Sequence, residues 1–268
     1  MDMYSLSKFP HCKPIIIPIT RHNGESESVD KDVESLVKTF EMLRFAQPDI
    51  SLKNCSRKKI LEGLLNLARD ENLTSKADYF LCVIISSGTD NGCFKDCNGE
   101  DIAIEEVIHI FNTENCIGLR DKGKIFIVQT DNELIRPRIP GQFGTTQEKL
   151  TLIPTQADIF IYHSHIPGFI EKFDWESKST SGSEIWQQDK GSIFIQTLCE
   201  VLQSNPNIEI HKLTMEVNSK LKPFIDNINK RKFKEAKKEL NKDLELPICT
   251  SQLRKCFEFI QRAKETAV

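Results

Sequence analysis

Apolar positions recur along this chain at two different periods. From Asp32 to Phe45 they fall at Val33, Leu36, Val37, Phe40 and Leu43, the spacing of one helix face. Arg57 to Arg69 repeats that spacing with Ile60, Leu61, Leu64, Leu65 and Leu67. Ile104 to Phe111, Ser192 to Gln203 and His211 to Leu221 read as further helices. Between them the texture changes. Tyr79 to Ile85 and Lys124 to Gln129 are β-branched and aromatic runs without alternation, as expected of strands buried on both faces. Asp158 to His163 reads as a third strand and Leu246 to Leu253 as a last one. Helices alternating with strands predict an α/β fold.

Two stretches break the pattern. Leu134 to Ala157 holds Pro137, Pro140, Gly141, Gly144 and Pro154 and reads as a linker. Phe169 to Gly191 reads as a long polar loop, with Trp175 and Trp186 around its polar centre. Aromatics in such a loop can anchor a partner or fold back over a neighbouring cleft.

Composition narrows the classes. A length of 268 residues suits one large domain or two small ones, and an apolar share of 39% can build a sizeable core. A net charge of −3 gives no overall basic field, so neither nucleic acid nor an anionic membrane is expected as a partner. The basic run Lys230 to Glu239 is interleaved with Glu235 and Glu239 and reads as a solvated helix face. No apolar run is long enough to span a membrane, and Met1 to Lys13 lack a signal-peptide core. Nine cysteines, an odd number without paired spacing, predict a reduced, cytoplasmic protein. Cys93 and Cys97 lie in a Gly-rich hairpin, and His163 and His165 share one strand face. A zinc site at the cysteines would need two more ligands, for which His109 and Cys116 are candidates in separate elements. The histidine pair could ligate a metal but is more commonly solvated or hydrogen-bonded, so no metal and no cofactor are expected.

The run Ile127-Val128-Gln129-Thr130-Asp131-Asn132-Glu133 resembles the frame of the caspase nucleophile motif, Gln-Ala-Cys-(Arg/Gln/Gly)-Gly, with Asp131 at the cysteine. Ile84-Ile85-Ser86-Ser87-Gly88 resembles the frame of the histidine motif, with Ser87 at the histidine. The separation, 131 − 87 = 44 positions, fits that family. Further pieces follow in order. Glu41 to Phe45 resembles the end of the first caspase helix, Gln156 to Ile161 the start of the small subunit, and Ile166-Pro167-Gly168-Phe169 the Ala-Pro-Gly-Tyr after it. Gly191 to Cys199 resembles Gly-Ser-Trp-Phe-Ile-Gln-Ser-Leu-Cys, and Leu246 to Ser251 the final strand. The resemblance runs from about Lys13 to Phe259.

It implies a caspase-like sandwich, with a six-stranded, mostly parallel sheet between helices. Residues 1–133 would correspond to the large subunit, 134–157 to an uncleaved linker without aspartate, and 158–268 to the small subunit, with no prodomain. A cysteine peptidase needs a thiolate and an imidazole. Asp131 is a hard, weak nucleophile, and Ser87 does not exchange protons near neutrality. The expectation is therefore a pseudoenzyme without catalytic residues, retaining only Gly88, which matches the glycine whose N–H binds the oxyanion. Of the pocket for a substrate aspartate, Gln129 matches the glutamine. Arg21 or His22 stands near the first arginine, and Phe173 stands at the second, which implies weak binding of aspartyl peptides.

The resemblance assigns dimerisation to the strand carrying Ile248, Cys249, Thr250, Ser251, Gln252 and Leu253, with Ile248, Thr250 and Gln252 on one face. It implies a regulator, in apoptosis, of an active caspase bound as a heterodimer. The alternatives are a homodimeric scaffold for a non-caspase partner and a residual cysteine-type endopeptidase.

Overall fold

In chain order the elements are strand β1 (Ile15–Pro18), helices α1 (Ser26–Met42), α2 (Arg57–Arg69) and α3 (Glu71–Lys76), strands β2 (Phe80–Thr89), β3 (Cys93–Lys95) and β4 (Asp101–Ala103), helix α4 (Ile104–Ile110), strands β5 (Lys124–Asn132) and β6 (Ile159–Ser164), helices α5 (Ile193–Ser204) and α6 (Ile210–Lys234), and strand β7 (Ile248–Ser251). The computed structural model describes residues 2–4, 12–20, 26–89, 92–132, 157–166, 190–234 and 244–259. Most of the anticipated linker and polar loop, and with them Arg21, His22, Phe173, Trp175 and Trp186, lie outside the described residues.

All seven strands join one sheet, in the order β4-β3-β2-β5-β6-β7, with β1 also paired to β2. β1, β2, β5 and β6 are parallel to one another. β3, β4 and β7 pair antiparallel. The count is one above the expected six, and the β3–β4 hairpin supplies two strands that the sequence reading did not place. Its strands of three residues each are too short for a period to show in sequence.

Alternation along the strands divides the core into two layers. Ile16, Leu81, Val83, Ile85, Ile125, Ile127, Phe160 and Tyr162 face α1, α5 and α6. Ile15, Ile17, Phe80, Cys82, Ile84, Phe126, Val128, Ile159 and Ile161 face α2 and α4. The central strands are apolar on both faces because both faces are covered.

Several boundaries differ from the sequence reading. α1 begins at Ser26, ahead of the first apolar repeat. β2 and β5 run on through Ser86–Thr89 and Thr130–Asn132; Ser86–Gly88 pair with Thr130–Asn132 and Thr89 pairs with Cys93, so these residues need no apolar pattern to stay extended. α6 continues past Leu221 and through Pro223 to Lys234. A proline removes one helical N–H, but Phe224 and Ile225 beyond it pack on the first core layer and carry the helix onward.

Buried polar contacts fix the ends of the elements. Asp32 on α1 accepts hydrogen bonds from Ser192 N (2.8 Å) and Gln196 Nε2 (2.7 Å), which ties the start of α5 to α1. At the amino end of β6, the buried Asp158 accepts from Tyr4 Oη (2.6 Å) and from Arg254 Nε (3.0 Å) and Nη2 (2.5 Å). Lys124, beside it and fully buried, donates to the carbonyls of Lys122 (2.8 Å) and Leu119 (3.2 Å).

Candidate functional site

In open α/β sheets the reactive crevice lies beyond the carboxyl ends of parallel strands. Here those ends are Ser86–Gly88 on β2, Gln129–Asn132 on β5 and His163–Ser164 on β6. The register brings together what the chain separates. Ser87 pairs with Asp131, Gly88 with Asn132, and Ile85 with Gln129. The two positions singled out from sequence are therefore cross-strand neighbours.

Each side chain has a defined place. Ser87 is nearly buried, and Ser86 Oγ donates to Lys95 O (2.6 Å), which joins β2 to the hairpin. Gln129 is buried and its Nε2 donates to Ile166 O (2.6 Å), so it braces the chain leaving β6. Gly88 has no room for a side chain. A Cβ there would lie 2.4 Å from Thr130 Cβ.

Thr130, to which sequence reading assigned no part, organises this end of the sheet. Its Oγ1 lies 2.8 Å from His163 Nε2, 3.2 Å from His165 Nδ1 and 3.4 Å from Ser164 O. One hydroxyl has one proton to give, so at least one imidazole presents an N–H to Thr130. The imidazole rings lie 3.9 Å apart between centroids. Burial first, and then the neighbouring His165, hold the His163 imidazole well below its usual pKa of 6.5. His163 is thus neutral near pH 7, and an imidazole depressed in this way is a weak base. The shared face of His163 and His165 was legible from their spacing. Their common partner was not, because Thr130 lies on another strand.

Three buried cysteines are held in the thiol form. Burial pushes the Cys82 and Cys199 thiols up to about 12, and burial also raises that of Cys116. Among the described residues no group of three or more His, Cys, Asp or Glu side chains could hold a metal ion.

At the far edge of the sheet, among the described residues, β7 pairs only with β6, Ile248 opposite His163 and Ser251 opposite Phe160. Gln252 and Leu253 follow the strand instead of belonging to it. Gln252 still exchanges backbone hydrogen bonds with Asp158 and Ile159, and then Leu253 N turns onto Ser251 Oγ (3.3 Å). Ile248, Cys249 and Ser251 are exposed, and Thr250 is half-buried. The expected two-faced division of this strand is accordingly weak.

The model of one protein family, Caspase domain (Peptidase_C14), matches residues 14–258. The chain belongs to the caspase family. Caspase-3 of Bos taurus is 28% identical over 196 residues, which cover 72% of this chain and 64% of that protein. Caspase-7 of Gallus gallus is 28% identical over 204 residues, covering 73% and 60%. The chain thus spans somewhat under two thirds of these relatives' length. Caspase-3 of Xenopus laevis is 25% identical over 237 residues, covering 87% and 73%. Among solved structures, one titled "structure of pro-sf-caspase-1" superposes with a TM-score of 0.67 at 20% identity, covering 95% of this chain and 97% of that one, which establishes the caspase-like fold.

These matches correct one expectation. Ser87 and Asp131 implied that the chain is not an enzyme, yet the relatives it matches are named caspases and the family is one of peptidases. Two side chains decide the chemistry of their own positions only. The same end of the caspase sheet also carries the imidazoles of His163 and His165. What stands is membership of the family.

Proposed function

We propose that this caspase-family chain regulates another caspase, in apoptosis, by pairing with it through β7. The observation that carries the reading is the edge of β7, which no other described strand covers, with Ile248 40% exposed at the end of the sheet. An edge strand presents unpaired N–H and C=O groups in register for a second strand. A partner adding antiparallel to it continues the sheet across a two-fold or pseudo-two-fold axis. A caspase is the partner whose own edge has matching geometry. The reading rests on the interface and does not depend on the chemistry at Ser87 and Asp131. Activation and inhibition both fall within it, since docking either orders the partner's loops or displaces a like subunit.

The test is a titration of this protein into a caspase that is cleaving an aspartyl fluorogenic peptide. A saturable change in rate supports the reading, and Ile248→Asp, which sets a charge into the joint, abolishes it. A flat titration refutes the reading, and self-association of the free chain would then point to a homodimeric scaffold. The same assay without the added caspase measures peptidase activity of the chain itself. That second reading is favoured by the names of its relatives and by the peptidase family that the chain matches.

A further inference from the structure

Asp96, nearly buried in the turn between β3 and β4, accepts from Arg57 N (2.6 Å), Asn98 N (2.8 Å) and Glu100 N (2.8 Å). It therefore clamps that turn onto the chain entering α2. Its neighbour Cys97 donates its backbone N–H to the carbonyl of Cys55 (3.3 Å). Adding standard N–Cα and O-to-Cα reaches to that bond bounds the Cα separation at about 7 Å. Disulfides span Cα distances up to about 7 Å. Both thiols are free and neither is buried. Cys55 Sγ points to Ser51 O (3.9 Å) and Cys97 Sγ to Asn98 Oδ1 (3.6 Å), weak contacts that a rotamer change releases.

We propose that Cys55 and Cys97 form a reversible disulfide, a modification site at the corner between α2 and the β3–β4 hairpin. The oxidant is a hydroperoxide. One thiolate attacks its O–O bond, giving a sulfenic acid and, from hydrogen peroxide, one water. The second thiol sulfur then displaces the sulfenic hydroxyl as another water and forms the S–S bond. Two thiols thus lose two protons and two electrons, and the peroxide gains both. The consequence reaches the candidate site through the hairpin. Ser86 donates to Lys95 O, and Gly88 pairs with Phe94, so the staple fixes the strand that borders Ser87 and Gly88. The inference rests on the geometry of this corner and is independent of pairing through β7.

Cys93 is the competing thiol, four positions before Cys97 on β3. The experiment treats the folded full chain with hydrogen peroxide, alkylates the remaining thiols, digests without reductant and reads peptides by mass spectrometry. The expected product joins the Cys55 and Cys97 peptides and is two hydrogens lighter than their sum. It is reversed by dithiothreitol, lost in Cys55→Ser and in Cys97→Ser, and retained in Cys93→Ser. Oxidation should also raise Tm by several degrees in the wild type and in Cys93→Ser, and leave Cys55→Ser unmoved. A Cys93–Cys97 product overturns the proposal. So does full alkylation of Cys55 and Cys97 after an exposure that already oxidises the exposed Cys249.

Discussion

Gly88→Ala is the most informative single perturbation of this sheet. The added methyl carbon would lie 2.4 Å from Thr130 Cβ, 2.8 Å from Oγ1 and 2.9 Å from Cγ2. Favourable carbon contact begins at about 3.5 Å, so Thr130 must retreat by about 1 Å. It has little freedom to do so. Thr130 is fully buried, β-branched, and held on a strand that pairs on both sides. Retreat strains β5 or breaks the contacts to His163 and His165. Overpacking of this kind costs about 1–3 kcal/mol, and each surrendered hydrogen bond about 0.5–1.5 kcal/mol. The reduced freedom of the unfolded alanine chain returns about 0.4–1 kcal/mol. The net loss is about 2–4 kcal/mol, or a fall in Tm of about 5–15 °C at ~2–4 °C per kcal/mol for a chain of this size. Urea unfolding followed by circular dichroism measures it. Thr130→Gly removes all the colliding atoms, so Gly88→Ala and Thr130→Gly together should be at least ~1 kcal/mol less destabilising than the sum of the two alone. Strict additivity, or a Gly88→Ala protein within ~0.5 kcal/mol of wild type, would refute the packing argument.

Three other outcomes follow from the same contacts. Burial pushes the Asp158 carboxyl up, but hydrogen bonds from Arg254 and Tyr4, together with the charges of Arg254 and Lys124, outweigh it and hold the pKa below 3.8. Its stabilisation is present above the unfolded value and is lost as pH falls through the folded one. Asn tolerates the left-handed φ of 66° at this position. Asp158→Asn should therefore cost about 1–3 kcal/mol at pH 7, a gap that closes below about pH 4, as denaturant titrations across pH would show. His163 is depressed by burial, so its contribution is complete above the unfolded value of 6.5 and declines as the unfolded chain takes up a proton below it. Its imidazole resonances should not move between pH 8 and about pH 6, and a midpoint near the usual histidine value would contradict the buried geometry. Ile248→Asp should leave Tm within about 1 °C, because the side chain is exposed, while removing any effect on a partner caspase.

Much of this molecule could be read before its coordinates. α2 spans the range its apolar spacing predicts, and the cores of β2 and β5 fall where the uninterrupted β-branched runs lie. Those signals are local, since a residue that faces the core every second or every third to fourth position writes that period into its own segment. The caspase resemblance was likewise legible, because ordered motifs at family spacing survive low overall identity. The β3–β4 hairpin, α3 and the polar ends of β2 and β5 were not, being too short or too polar to carry a period. The conclusion that this is no enzyme overreached for a related reason. It treated two positions as the whole site, although the fold brings other groups to the same end of the sheet.

Sequence alone determined which residues occupy Ser87 and Asp131, that the central strands are buried on both faces, and that the chain alternates helix and strand. Tertiary structure alone decided that Ser87 pairs with Asp131, that Thr130 gathers His163 and His165, that Gly88 must stay bare beneath Thr130, and that Cys55 and Cys97 share a corner. The difference is physical. Periodicity is set by each segment's own burial, whereas a cross-strand neighbour depends on register, and register is fixed only when every packed layer of the sheet is satisfied at once.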